Sequence, residues 1–228
     1  MNVEEIGSDE YGTYFITDKT IFYPQGGGQP NDSGWIEKSR IQIKIAGAKY
    51  NSDGEVKHYV EDEISPDFIG AEVAMHIAQR VRKLNSAYHT AGHWLSQIVN
   101  ENFGLPLFPV KGHHFASEAY VAFKGDMECV GEDLLDQIKL AMKTDLQTNP
   151  MVTSEIVASD SPKLKNALLP ENFKPLTNRP LRLVTIEGYK AVPCGGTHYD
   201  SLRGIKSVVP TEIYKKGKYV RLKYECSI

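Results

Sequence analysis

The sequence predicts an α+β protein in two parts: a small β-barrel or sandwich over residues 1–70, then an α+β domain over residues 71–228 with a mixed or antiparallel sheet and helices. Three observations carry this. Up to about residue 62 apolar residues recur in short runs or alternate with polar ones, the pattern of short, half-buried strands. Past Pro66 and Gly70 two long stretches switch to helical spacing. Helices and strands then mix without strict strand–helix–strand alternation, which argues against a parallel, doubly wound sheet.

The elements follow in order. Tyr14-Phe15-Ile16 and Ile21-Phe22-Tyr23 are apolar or aromatic runs flanked by turn residues, so each reads as a short strand. Ile41, Ile43 and Ile45 alternate with Gln42 and Lys44. Asn51-Ser52-Asp53-Gly54 is a strong turn, and Val56, His58 and Val60 alternate after it, so the segment reads as a hairpin. Val73, Met75 and Ile77 suggest one more strand. From Asn85 or Ser86, both suitable N-caps, to about Phe103, the stripe Tyr88, Ala91, Leu95, Ile98 and Val99 marks an amphipathic helix ended by Gly104 and Pro106. Ala119 to Phe123 reads as a strand. Gly131 to Thr148 is a second amphipathic helix (Leu134, Leu135, Ile138, Ala141, Met142, Leu146), stopped at Pro150. Val152 to Val157 and Leu181 to Ile186 read as strands, and the tail from Ile205 holds two or three more, with a Lys-Lys-Gly-Lys turn at 215–218.

No run of 18 apolar residues occurs, so no membrane span is expected. The polar, acidic start from Met1 to Glu10 is unlike a secretory signal, and a cytoplasmic location is expected. Three widely spaced cysteines, Cys129, Cys194 and Cys226, are not a disulfide framework, which leaves a thiol available as a metal ligand. The net charge of −3 hides an asymmetry: residues 1–72 carry 14 acidic and 6 basic side chains, residues 73–228 carry 15 and 20. From Arg203 to Lys223 there are seven basic residues against one acid, Glu212, so a polyanion is drawn to the second part. On charge alone, solvated strand faces explain the excess equally well.

His89-Thr90-Ala91-Gly92-His93 lies inside the first long helix, where residues four apart share a face about 5–6 Å apart at Cβ. Gly92 costs that helix roughly 1 kcal/mol against alanine, which suggests that something approaches it closely. Cys194-Gly195-Gly196-Thr197-His198 supplies a second pair, with two glycines that let the chain turn tightly. Alone, each pair is more often core or surface packing than a ligand set. Together they offer three nitrogens and one sulfur, a donor set that selects zinc. Their separation excludes a local zinc finger; the ion ties a helix to a distant loop. Four ligands close a tetrahedron, as in structural sites, whereas catalysis needs an open position, so one histidine is expected to give way to water or substrate. His113 and His114 are a lesser feature, one of them expected to line a pocket. Phe22-Tyr23-Pro24-Gln25-Gly26-Gly27-Gly28-Gln29-Pro30-Asn31-Asp32-Ser33-Gly34 is a loop with exposed amides that can approach a phosphate, a sugar or another backbone closely; it is neither a Walker loop nor a dinucleotide fingerprint.

At these residues the chain resembles a known family. The run Phe22 to Gly34, then His89-x-x-x-His93, then Cys194-x-x-x-His198 look like the editing region of alanyl-tRNA synthetases and the freestanding alanyl-tRNA editing proteins, AlaX, in their medium-sized form. Order and approximate spacing match from about residue 11 to 225. The threonyl-tRNA synthetase editing domain shares the two pairs but not the glycine-rich loop. The resemblance implies a small N-terminal β-barrel, a metal-binding editing domain, and hydrolysis in trans of Ser-tRNA(Ala), with Gly-tRNA(Ala) as a further substrate, by a site of His89, His93, Cys194 and His198 holding zinc. It implies tRNA as partner; monomer and dimer both stay open. Gln25, Gly26, Gly27, Gly28, His113, His114 and Thr197 are candidates for substrate contact. The stretch Lys111 to Phe115 departs from the synthetases, so no selectivity residue transfers there. Such a site can spare alanine by requiring a hydrogen bond to the serine hydroxyl, worth about 10⁴–10⁵ in discrimination. Two other readings remain: a zinc-dependent hydrolase of small esters, and an RNA-binding protein with a structural zinc and no hydrolase activity.

Overall fold

The computed structural model describes residues 1–103, 107–126, 128, 130–170, 173–175 and 179–228. It is α+β, and the chain forms two compact units, Met1–Lys83 and Leu84–Ile228. Every strand pairing among the described residues is antiparallel.

The first unit is a six-stranded sheet in the order β1-β2-β5-β4-β3-β6. Its strands are β1 (Val3–Asp9), β2 (Gly12–Thr17), β3 (Gly34–Lys38), β4 (Ile41–Tyr50), β5 (Val56–Val60) and β6 (Ala74–Ile77). Alternation works as expected in β4, where Ile43 and Ile45 are buried and Lys44 is exposed. Phe15, Phe22, Ile36, Ile45, Phe68 and Val73 are among the buried side chains of its core. The expected barrel is not a closed ladder. Among the described residues β1 and β6 do not pair. The chain ahead of β6 meets the N-terminus instead, through an Asn2–Glu72 bridge and backbone bonds from the Val3 amide to the Ala71 carbonyl (3.0 Å), the Gly70 amide to the Val3 carbonyl (2.8 Å) and the Val73 amide to the Met1 carbonyl (2.8 Å), without forming a named strand pair.

Ile21 to Tyr23, expected as a strand, is a loop. Its polar backbone groups find side chains rather than a ladder. The Phe22 amide donates to Thr20 Oγ1 (3.0 Å), the Tyr23 amide donates to Asp32 Oδ2 (2.7 Å), and Arg82 donates to the Ile21 carbonyl (2.8 Å). Asp32, 1% exposed, also takes Arg82 Nε at 2.9 Å. A carboxylate so buried is tolerable only when paired and hydrogen-bonded, and this one is both. The apolar run is genuine burial, but of loop residues.

The second unit holds α1 (Gln79–Asn102, which starts just before it), β7 (Phe108–His113), β8 (Tyr120–Lys124), α2 (Leu134–Thr148), β9 (Val152–Val157), β10 (Leu181–Ile186), β11 (Val192–Pro193), β12 (Ser207–Lys216) and β13 (Tyr219–Ser227). They form one sheet in the order β11-β10-β9 and another in the order β12-β13-β8-β7. The helix stripe Tyr88, Ala91, Leu95, Ile98 and Val99 is buried, joined by Ala87 and Trp94, and packs in one cluster with Ile138 and Met142 of α2 and Phe123, Val220 and Leu222 of the four-stranded sheet. Burial of this kind stabilises by about 25 cal/mol per Å² of apolar surface.

α1 begins six residues ahead of the expected cap. Arg80, Arg82, Lys83 and Leu84 favour helix and no breaker separates them from the stripe, so Asn85 and Ser86 are buried interior residues. The stop expected at Gly104 and Pro106 lies outside the described residues, as does Cys129. α2 starts at Leu134 rather than Gly131, and Asn149 ends it in the left-handed conformation, φ 51°. The Lys-Lys-Gly-Lys turn joins two long strands, with Gly217 at φ 60°. Among the described residues no helix is long and apolar enough to cross a membrane.

Candidate metal centre

α1 presents His89 and His93 one turn apart, their ring centroids separated by 4.9 Å. The second pair follows β11. There the Cys194 amide donates to the Arg182 carbonyl (2.9 Å), which extends the pairing with β10 by one residue. The Arg182 guanidinium donates to the Cys194 carbonyl (3.1 Å) and the Gly196 carbonyl (2.7 Å), so the loop winds around a fixed cation. The Gly196 amide points at Cys194 Sγ (3.3 Å).

The loop docks on one face of α1. Ser86 and Thr197 hydroxyls are 2.6 Å apart. Thr90 Oγ1 accepts from the Tyr199 amide (3.1 Å) and lies 3.1 Å from His198 Nδ1. Residues 86, 89, 90 and 93 are spaced three and four apart, so the ligands and the loop's anchors share a single helix stripe.

These contacts bring Cys194 Sγ to 3.4 Å from His89 Nε2 and 3.4 Å from His198 Nε2. One ligand atom from each of His89, His93, Cys194 and His198 lies within 4.8 Å of all the others. Zinc bonded at about 2.0–2.1 Å to nitrogen and about 2.3 Å to sulfur gives a tetrahedron with edges of about 3.4–3.6 Å. The two sulfur–nitrogen distances match such an edge, and the donor set fits the ion. No separation exceeds such an edge by more than about 1.2–1.4 Å.

No protein-family profile matches the chain. Among curated proteins it is similar to the alanyl-tRNA editing protein AlaX-M of Methanosarcina acetivorans, 27% identical over 238 residues that cover 97% of this chain and 91% of that protein. It is similar to AlaX-L of Pyrococcus horikoshii, 27% identical over 219 residues, 92% of this chain and 50% of that one. A segment of the alanine–tRNA ligase of Korarchaeum cryptofilum is 31% identical over 188 residues, 80% of this chain and 20% of the ligase. The relatives named alanyl-tRNA editing proteins, 25–27% identical over most of the chain, support an AlaX-type editing protein. It spans about half of the AlaX-L relative and a fifth of the ligase, but nearly all of AlaX-M.

Behind the cluster of His89, His93, Cys194 and His198 sits His114, stacked on His89 with centroids 4.5 Å apart. The Tyr224 hydroxyl donates to the Tyr88 carbonyl (2.8 Å), so it accepts from His114 Nδ1 (2.7 Å). This explains the helical glycine. A Cβ on Gly92 would come within 2.3 Å of the His114 ring, and one on Gly112 within 2.2 Å. The two glycines leave the slot that holds the imidazole against His89.

Burial keeps these rings neutral. It depresses His93 to about 4 and His114 to about 3, and holds His89 and His198 well below the usual histidine value. The lone pairs a metal needs are therefore present at neutral pH. Burial pushes the Cys194 thiol up, so an incoming cation must displace its proton.

The other expected contacts of this unit already have partners. Thr197 is bonded to Ser86. His113 sits on the opposite side of its strand from His114, stacked on Phe115 (4.4 Å) and 3.3 Å from Glu118. In the first unit Gly26 to Gln29 form an ordered tight turn rather than a flexible loop. Gly27 and Gly28 are at φ 55° and 79°, and Gly26 and Gln29 exchange both backbone bonds, at 2.8 and 3.2 Å. Gln25 is exposed beside it. Thr90, Ser86, Arg182 and Tyr224 were not singled out from sequence as site residues. Counting three and four residues from His89 and His93 would have found the first two; nothing in the strand pattern marks Arg182.

Two outcomes follow from this geometry. Thr90→Val keeps the shape but removes the partner of His198 Nδ1, and should weaken metal binding about 10–100-fold in a competition titration with a chromophoric chelator, the usual cost of losing such a partner. An unchanged affinity would remove Thr90 from the site. The metal-free protein should show a flat thermal midpoint above pH 6.5 that falls as pH drops toward 4. The unfolded chain takes up protons on these rings near 6.5, while the folded chain resists until about 4 at His93 and about 3 at His114. A midpoint that rises on acidification would contradict the buried, neutral assignment.

Proposed function

We propose that this chain hydrolyses the ester bond of mischarged Ser-tRNA(Ala) in trans, with Gly-tRNA(Ala) as a second substrate, at a zinc site made by His89, His93, Cys194 and His198. The observation that supports it is the meeting of two sequence pairs about a hundred residues apart, in a chain whose relatives of similar length are named alanyl-tRNA editing proteins. Residues 71–228 carry the chemistry in this reading, and residues 1–70 the glycine-rich loop.

When bound, the ion supplies Lewis acidity toward the ester carbonyl. The chain's own residues do the rest. Thr90 and Arg182 hold the loop and the His198 ring, His114 backs His89, and the buried setting keeps all three helix and loop imidazoles unprotonated at neutral pH. One histidine yields its place during turnover. Selectivity for serine falls to Thr197, the candidate hydroxyl nearest the ligands along the chain. It trades its Ser86 bond for one to the substrate hydroxyl; with alanine that bond goes unmade, and glycine, which lacks it too, is cleaved more slowly than serine. A site built to hydrogen-bond a hydroxyl discriminates far better than one built on size, where a methylene is worth only about 1–3 kcal/mol. The tRNA is held mainly by the basic second unit.

Purified protein offered Ser-tRNA(Ala), Ala-tRNA(Ala) and Ser-tRNA(Ser) should deacylate the first fastest, and chelator or Cys194→Ala should cut that rate at least 100-fold. Hydrolysis of simple amino-acid esters with no preference for tRNA would replace this reading with a small-ester hydrolase. Tight tRNA binding with the ester left intact would replace it with a structural-zinc RNA-binding protein.

A further inference from the structure

We propose that the outer face of the four-stranded sheet is an RNA-binding platform that leads the substrate strand to the metal centre. Directly opposed residues of an antiparallel sheet point the same way, so the register defines three rows across this face. One row runs Phe108, Lys124, Tyr219, Lys216; the next Lys111, Ala122, Arg221, Tyr214; the third His113, Tyr120, Lys223, Glu212. The alternate residues, Val121, Phe123, Val220 and Leu222, are buried against α1.

The face is built of cations set on aromatic rings. Arg221 lies 4.2 Å from the Tyr120 ring centre and Lys223 4.9 Å from that of Tyr214. Such stacking holds long side chains upright and lowers the entropy cost of meeting a phosphate. Lys111, Lys124 and Lys216 are exposed, and Phe108, 59% exposed, offers a bare ring on which a base can stack. Glu212 is the lone acid in the three rows. Its pair with Lys223 (2.8 Å) is half exposed on both sides, a weak surface pair easily exchanged for a phosphate. A groove of about 550 Å³ runs over Tyr120, Arg221 and Lys216. β7 links this face to the chemistry across the sheet: His113 closes β7 on this side, and the next residue, His114, turns to the other side and stacks on His89. Glu118 and Glu225 also line the groove, but the lysines and Arg221 outnumber the acids, which disfavours a second copy of the same face as occupant and matches a polyanion whose bases can stack.

Naming the RNA rests on the editing reading, but the test does not depend on hydrolysis. Fluorescence anisotropy with unacylated tRNA(Ala) is recorded from 50 to 200 mM salt. Lys111→Ala/Lys216→Ala, both exposed positions, should flatten the slope of log affinity against log salt by about 1.4–1.8, the value for two lost phosphate contacts. Phe108→Ala should weaken binding about fivefold or more with the slope unchanged, the signature of a lost stack. Seryl-tRNA deacylation by these variants should show a raised KM and an unchanged kcat. Affinity and slope equal to wild type in both variants would overturn the platform. So would an unchanged RNA affinity together with lost binding to anionic phosphatidylglycerol vesicles, or with loss of a dimer. If wild type binds but does not deacylate while the variants shift as described, the platform stands and the hydrolase reading falls.

Discussion

The docking of the Cys194–His198 loop onto α1 is the constraint on which the second unit depends. It places a thiol and three imidazoles in a space a few ångströms across, out of water. Buried polar groups without partners cost several kcal/mol together. The chain meets that cost partly with its own bonds, through Thr90 to His198, Arg182 to the loop carbonyls and Tyr224 to His114. Ligand atoms facing one another are better satisfied by a cation, and structural zinc contributes about 10–16 kcal/mol in small domains. The arrangement is thus poised for a metal, and α1 is the rigid rod that carries both anchors and ligands.

The four residues that cluster were legible in the sequence because each pair has the spacing its element demands: four apart on a helix, and four apart across two glycines in a loop. Their joining was not written in either pair; it rests on strand β10, whose Arg182 grips the loop and which resembles any half-buried strand. Gly92 announced a close neighbour without saying which, since His114 arrives from a different strand. The α+β class and most strands follow from periodicity. Periodicity misled at Ile21 to Tyr23, where side chains of Thr20, Asp32 and Arg82 satisfy the backbone that a ladder would otherwise pair. It also placed the start of α1 at plausible caps, although the helix-favouring residues before them continue the same turn. Barrel closure depends on how the first and last strands meet, which local pattern does not encode.

One strand joins the two surfaces that matter. β7 carries Phe108 and Lys111 on the outer face of the sheet and ends at His113, and the following His114 reaches the metal centre. In the proposed reading, recognition of a polyanion on one side and ester chemistry on the other share a scaffold, with the glycine pair at 92 and 112 clearing the passage of a single ring. The basic excess of the second unit then has a location rather than only a sign.

The central claim is that His89, His93, Cys194 and His198 converge on one cation. X-ray absorption on the purified, untagged protein tests it most directly. The account predicts one zinc per chain with three nitrogen neighbours at about 2.0–2.1 Å and one sulfur at about 2.3 Å, the sulfur lost in Cys194→Ser. A protein that takes up no metal, or whose metal shell holds no sulfur, would contradict it.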